Sequence, residues 1–536
     1  MTKPRIRPKT TADGGAMPRS SVLSYWGSGA HHGASHTLRD VAAWHASAGS
    51  ADSDTLPDLD TLIPRARDIR RNNGFAQSIA QTSVDNIVGS GIRLCATPDY
   101  VALQAIDDSF DEDWADAWGE QWESIWHEYW WSTACDAGDK KTGDMISEEV
   151  SYSKFDNGGS FTLPLWLPQR GDGFATKLQT VEVDRLSNPL DAADTPLLRG
   201  GIEFNADLTG EAIAAHILKG HPGERFMWSQ YKAQDWARIP RRTPWGRLRW
   251  IHDYDSDRPD QTRGKPWLSA VLDQFKNIDR YVKAEIAAAV SNANIWGAIT
   301  TPLEHDEIVS LFRDNEEEYL AARNRHAVTM KANTLATLFP GDELTSFIPQ
   351  RPATGFGVFV KNVQSIIAIG AGVPYVIAAK DFSESNYSNT RAAMLEGWRT
   401  FDRRRDRLGA GWLDPINGLL MEEMVTSGRI KAPEFYRFRR AYLRCTWIGP
   451  GQGYIDKVKE ATGDQIMLDG DTETLQRIAA RRGLHWRELI NQRAMERKYA
   501  ARKGLPDHTA TRAANPPQVF DNEPPEDQKR PAAVPA

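Results

Sequence analysis

Trp114, Trp118, Trp122, Trp126 and Trp130 recur every four residues without a break. On an α-helix that spacing places the indoles one above another on a single stripe. Residues 110–131 are therefore read as a helix whose wide aromatic face must be covered. Two covers suit it: the core of the subunit, or a seam against a neighbouring subunit. The chain holds 19 Trp in 536 residues, a high usage that favours large packed surfaces of either kind.

Other periodic stretches give a mixed architecture. Residues 65–88 read as helical, and 160–255 carry short β-type runs: Phe161–Leu167, Leu178–Val183, Ala214–Leu218 and Arg249–His252. Residues 268–296 form a long amphipathic helix. Its apolar face is Leu268, Val271, Leu272, Phe275, Ile278, Val282, Ile286 and Val290. Residues 455–500 hold further helices, broken at Gly470 and Gly483. The fold class is α+β. The two ends differ: residues 1–57 are rich in Gly, Ser, Ala, Thr and His, and 504–536 are polar and Pro-rich. Neither buries enough apolar area to offset its ordering entropy, so both are expected to be mobile.

Charge and cysteine content narrow the function. A net charge of −7 argues against gripping nucleic acid through a broad basic surface. Cys95, Cys135 and Cys445 are far apart and form no Cys-x-x-Cys pair, so a disulfide framework or zinc site is not expected. The basic N-terminus lacks an apolar run to follow it and does not read as a secretory signal. No apolar run is long enough to span a membrane.

A search for catalytic constellations ends empty. Asp253-Tyr-Asp255-Ser-Asp257 opens like a calcium loop, but Arg258 and Gly264 stand where Gly and Glu are needed. His252-Asp253 reads better as a structural pair than as a metal site. Asp111, Glu112, Asp113, Asp116 and Glu120 read as a helix-start cluster and a solvated face. No phosphate-cradling Gly-x4-Gly-Lys loop, His-Glu-x-x-His or nucleophile elbow occurs. No catalytic residue, cofactor or metal is expected. The densest basic run, Arg403–Arg407, reads as a solvated face, as inter-subunit ion pairs or as a phosphate contact.

The richest single stretch reads helix, loop, helix. Phe359, Val363, Ile366, Ile367 and Ile369 recur at helical spacing, and Gly370–Pro374 end the run. Met394, Trp398 and Phe401 resume it, with Ser388, Asn389 or Thr390 as candidate caps. The loop between holds Lys380, Asp381, Ser383, Glu384, Ser385, Asn386 and Ser388, with almost no apolar anchor. This order of an apolar helix, Gly372-Val-Pro-Tyr375, Asp381-Phe-Ser383, Asn386-Tyr-Ser388, then Glu396-Gly-Trp-Arg399 resembles the lambda-type portal proteins of tailed phages. Further matches follow in the same order over roughly residues 60–500. They are Arg65–Gly74, Asp85–Gly91, Val183–Leu186, Gly201–Glu203, His252 with Arg258–Trp267, Leu338–Glu343, and Trp447–Gly451 with Ile455-Asp456. The chain departs from the family at Gly158-Gly159-Ser160-Phe161, where Gly-Glu is common. That weakens any role assigned to a carboxylate there.

The resemblance implies an elongated, ring-forming subunit of wing, stem, clip and helical crown, with about twelve copies around a closed axis. By order, 1–57 is the N-terminal arm, 58–267 the wing, 268–296 the first stem helix and 297–345 the clip. Residues 346–372 are the second stem helix, 373–388 the tunnel loop, and 389–450 the loop-supporting helix and wing return. Residues 451–503 are crown helices and 504–536 the tail. The implied partners are double-stranded DNA passing without sequence readout, the terminase large subunit, major capsid and scaffold proteins, and head–tail adaptors; no membrane is implied. The implied channel residues are Lys380, Asp381, Ser383, Glu384, Ser385, Asn386 and Ser388. Arg391, Arg399, Arg403 and Arg404 are candidate phosphate or inter-subunit contacts. A structural tail or adaptor ring, and a metal-dependent DNA-processing enzyme, are the alternatives.

Overall fold

The computed structural model describes residues 39–46, 48–207, 209–224, 232–294, 298–300, 343–345, 355–383, 387–453 and 457–505, with His31–Ala34 and two isolated positions, 317 and 321. Most of the expected clip (297–345), Glu384, Ser385, Asn386, the first thirty residues and those beyond 505 lie outside the described residues.

The first helix, α1 (Ala51–Asn72), starts earlier than the sequence suggested. Pro57 and Pro64 look like breakers, because each removes a backbone donor. The helix runs through both. Ser50 caps it by accepting from Ser53 N–H, Asp52 and Asp54 favour its N-terminal dipole, and Leu59, Ile63 and Ala66 bury its inner face. Asn73 ends α1 and caps α2 (Gly74–Ile87) by accepting from the N–H groups of Phe75 and Ala76. The reading of 65–88 as helical thus resolves into two helices with a bend.

Strand β1 (Arg93–Ala96) pairs antiparallel with β11 (Cys445–Ile448), Cys95 opposite Thr446, and so joins the two halves of the chain. The tryptophan helix is α4 (Glu112–Trp130), preceded by the short α3 (Tyr100–Leu103). Asp111 caps α4 by accepting from Trp114 N–H at 2.7 Å. Trp118, Trp122, Trp126 and Trp130 are all buried, and Trp114 packs on Phe110 and Tyr442. Three indole N–H groups reach acceptors: Trp118 to Lys431 O, Trp122 to Asn417 Oδ1, and Trp130 to Asp144 Oδ1. Within the subunit the stripe is core.

Helix α5 (Gly143–Asn157) leads into two antiparallel sheets. The first has strand order β3–β2–β8, with β2 (Gly159–Trp166) between β3 (Thr176–Val181) and β8 (Ile251–Tyr254). The second runs β4 (Leu198–Arg199), β5 (Ile202–Phe204), β6 (Ala212–Leu218) and β7 (Trp236–Pro240) in order. Phe161, Leu163, Val181, Leu186, Ile202, Ala215, Ile217 and Trp250 fill a core of their own. Strands β9 (Ala298–Thr300) and β10 (Glu343–Thr345) form a separate antiparallel pair.

The remaining helices are α6 (Leu272–Asn294), α7 (Phe356–Ala371), α8 (Tyr375–Ala379), α9 (Tyr387–Leu408), α10 (Asp414–Thr426), α11 (Phe435–Tyr442), α12 (Lys457–Asp469), α13 (Leu475–Arg481) and α14 (Trp486–Arg502). A π-helical turn, Gly409–Leu413, joins α9 to α10 against β8. Gly411 is needed there, because a Cβ would stand 2.4 Å from Asp253 Oδ1. The α+β class read from the sequence is the observed one.

Candidate functional site

The apolar face predicted for α6 is continuous, but its cover is not. Leu268, Val271, Leu272, Phe275 and Ile278 are buried, whereas Ile286 and Val290 on the same stripe are each 56% exposed. Helix α7 repeats this in the opposite direction. Ile367, Ala368 and Ala371 are buried at its end, while Val358, Phe359 and Ile366 stand open. Tyr281 lies against Phe356 and Phe359, with ring centroids 5.8 Å and 4.7 Å apart, so the two helices are in contact in their exposed parts.

Helix α7 stops because Gly372 turns left-handed at φ 70°, a conformation that costs glycine little. Val373 is buried, and Pro374 starts α8. Buried Ala378 accepts from Ser78 Oγ at 2.6 Å, so the first half of the loop is tied to α2. Lys380 then adopts φ 54°, a left-handed conformation unusual for a residue with a Cβ. It ends α8 and redirects the chain. Asp381 closes the next turn by accepting from Ser383 N–H at 3.1 Å and from Ser383 Oγ–H at 2.6 Å. The Ser383 hydroxyl holds the Asp381 carboxyl below the usual range. Phe382 and Ser383 are exposed.

The structure therefore brings Lys380, Asp381 and Ser383 together at one turn. Glu384, Ser385 and Asn386 fall outside the described residues, as does the side chain of Ser388. Helix α9 already includes Tyr387, so Ser388, Asn389 and Thr390 are first-turn residues rather than its cap.

The four arginines separate. Arg399 is exposed and pairs with Glu396 at 3.0 Å. Arg391 lies 3.9 Å from Glu460 on α12. Arg403 is exposed. Arg404 points inward: its guanidinium lies 3.8 Å over the Trp267 ring and donates to Ala371 O at 2.8 Å. Burial pushes its pKa down to about 10. Arg404 is thus a brace from α9 onto the C-terminal carbonyls of α7, where positive charge is favoured. Arg405 is also occupied, donating to Ile87 O and Asn86 O, and Arg407 lies 3.5 Å from Asp255. The solvated-face reading of this basic run holds for Arg403 and Arg407, and fails for Arg404 and Arg405, whose guanidiniums brace neighbouring backbone. Nothing in the sequence separates Arg404 from its neighbours, because only the rotation of α9 against Trp267 does so.

The other candidates resolve as structure. His252 and Asp253 are adjacent on β8, so their side chains leave opposite faces. His252 packs between Phe161 and Tyr254, while Asp253 pairs with Lys154. Asp116 binds Arg487 at 2.5 Å, and Glu120 lies 3.4 Å from Asn491 Nδ2.

Apolar helix faces that run out of the core, with a braced polar turn at their end, are the features of a subunit that packs against further copies or partners. The model for the phage portal protein, lambda family, matches residues 37–405, and the chain belongs to that family. Portal protein B of Escherichia phage lambda is 29% identical over 499 residues, spanning 89% of this chain and 91% of that protein. The portal protein of Escherichia phage N15 is 28% identical over 507 residues, spanning 90% and 92%. Among solved structures, the neck of an empty GTA particle computed with C6 symmetry matches with a TM-score of 0.45 at 12% identity, covering 80% of this chain and 94% of that one.

Proposed function

We propose that copies of this chain close into a ring of about twelve subunits at one capsid vertex, through which double-stranded DNA enters and leaves the head. The observation that carries this reading is the uncovered apolar stripe of α6 and α7. Ile286, Val290, Val358, Phe359, Ile366 and Ile369 form exposed surface of a kind that monomers seldom leave open. Head-to-tail packing around an axis covers such a stripe on every copy.

In this reading α6 and α7 are the stem, 297–345 the clip, 373–388 the tunnel loop and 451–503 the crown. The subunit acts by geometry and catalyses no bond chemistry. A separate terminase large subunit docks on the clip and drives the DNA, and head–tail adaptors replace it after packaging. Capsid and scaffold proteins surround the wing during assembly in the host cytoplasm, and the ring remains in the virion. Lys380, Asp381, Ser383, Glu384, Ser385, Asn386 and Ser388 approach the duplex, touching phosphates without reading bases.

Electron microscopy of the purified chain tests the ring. Closed rings with a channel wide enough for a duplex are expected; a monomer at all concentrations, or a channel too narrow for DNA, sinks the reading. Lys380→Glu tests the loop. Because Lys380 lies on a surface turn, rings should form normally while packaged DNA falls several-fold through backbone repulsion. Full packaging by Lys380→Glu rings would remove Lys380 from the mechanism.

A further inference from the structure

Three side chains far apart in the sequence converge where the C-terminal helices meet the tryptophan helix. Cys95 comes from β1, Glu123 from α4, and His485 from the residue before α14. One ligand atom from each lies within 4.8 Å of the other two. Cys95 is fully buried and His485 is 2% exposed. His485 Nε2 lies 3.2 Å from Glu123 Oε1 as an ion pair, and, against its burial, hydrogen bonding to Cys95 and Glu123 raises its pKa to about 9. A cation bound among these three donor atoms would take the place of the imidazole proton that now faces them.

We propose that Cys95, Glu123 and His485 bind a zinc(II)-class cation. A thiolate, an imidazole and a carboxylate are a donor set that suits zinc and cobalt better than calcium or magnesium. The surrounding groups are those that hold ligands in place. Glu123 Oε1 accepts from Ala96 N–H at 2.8 Å and from Arg487 Nη1 at 2.9 Å. Gln476 Nε2 lies 3.7 Å from Cys95 Sγ, placed to donate to a thiolate sulfur.

Arg487 is the apparent objection, since a guanidinium repels a cation. Asp116 binds its other nitrogen. With the Cys95 thiolate, Glu123 and Asp116 negative, and Arg487 and a divalent ion positive, the cluster is neutral. On binding, the Cys95 thiol proton and the imidazolium proton of His485 leave to solvent, and metal–sulfur and metal–nitrogen bonds replace them. Three protein ligands leave a fourth position for water, which enters past partly exposed Glu123. The bound ion ties β1, α4 and α14 together, fixing the C-terminal helices to the body of the subunit.

Chelator-treated full-length protein titrated with cobalt(II) tests this. One equivalent per chain should bind and give a thiolate-to-cobalt charge-transfer absorption, which zinc(II) then displaces. Cys95→Ser should abolish the band, whereas Cys135→Ser and Cys445→Ser should leave it. His485→Gln should weaken zinc binding by more than the roughly 10–100-fold typical of losing an outer-shell partner. In the unaltered chain, zinc should protect Cys95 from alkylation, mapped by peptide mass, a readout that does not depend on any variant folding. Absence of the charge-transfer band, a band that survives Cys95→Ser, or Cys95 alkylation that zinc does not slow would each overturn the proposal.

Discussion

Trp122→Ala should destabilise the subunit by about 3–5 kcal/mol, the range for truncating a fully buried tryptophan. Trp122 is 1% exposed and stacks on Trp118 with ring centroids 6.4 Å apart. Its indole N–H donates to Asn417 Oδ1 at 3.0 Å. Asn417 is itself 1% exposed, so the substitution leaves both a cavity and a buried acceptor with one partner fewer. These losses place the effect toward the upper end of the range. Trp131→Ala is the control, because Trp131 is 43% exposed and follows the stripe without belonging to it. Its cost should stay near or below about 1 kcal/mol. Thermal unfolding of the two purified variants beside the parent chain compares them. A large drop for Trp122→Ala alone marks the stripe as core. Equal drops, or a Trp122→Ala defect seen only in assembly, would mean that the stripe acts between subunits.

The stripe was legible because periodicity reports which residues share a face. It does not report what covers that face. For α4 both covers suited the pattern, and only the fold places Tyr442, Asn417 and Lys431 against it. For α6 the eight apolar residues were read as one equivalent face, yet the core ends part-way along it. Ile278 and Ile286 look alike in sequence and differ in exposure from 7% to 56%. The β-type runs in 160–255 were legible for a similar reason, since alternation survives wherever a strand has one buried face. The early start of α1 was not, because residues 1–57 read as a mobile arm and the helical reading begins only at 65, whereas the Ser50 cap and the burial of Leu59, Ile63 and Ala66 fix the earlier turns in the fold. The polar turn was legible as a turn, with Gly372 and Pro374 as its marks. The Arg404 brace that holds it, and the Cys95–Glu123–His485 cluster, were not, because each depends on elements that only tertiary packing brings together.

Lys154→Met should be the second severe variant, at about 3–5 kcal/mol near neutral pH, because it strands a buried carboxylate. Lys154 is 3% exposed and its Nζ lies 3.0 Å from Asp253 Oδ2 and 3.3 Å from Asp255 Oδ1. Asp255 keeps a second cation, Arg407, at 3.5 Å. Asp253 is 5% exposed and lies against Gly411, with Lys154 as its ion-pair partner. Burial already raises the Asp253 pKa, and the Lys154 charge is the chief influence that lowers it again. Removing that charge raises the pKa further. The sign of the pH effect follows. A carboxyl with a folded-state pKa above its unfolded value binds the proton more tightly when folded. Its protonated form therefore favours the native state at low pH, and that advantage is lost as pH rises through the folded-state pKa. Lys154→Met should accordingly lose more stability than the parent between about pH 4 and pH 7, and its deficit should shrink on acidification. Adding Asp253→Leu should recover most of the loss, since replacing both members of a buried pair with apolar groups is often neutral. Denaturation midpoints of the parent, single and double variants at pH 5 and pH 7 provide the check. A single-variant deficit that is the same at both pH values, or a double variant no better than the single, would show that Lys154 contributes through packing of its stem rather than through its charge.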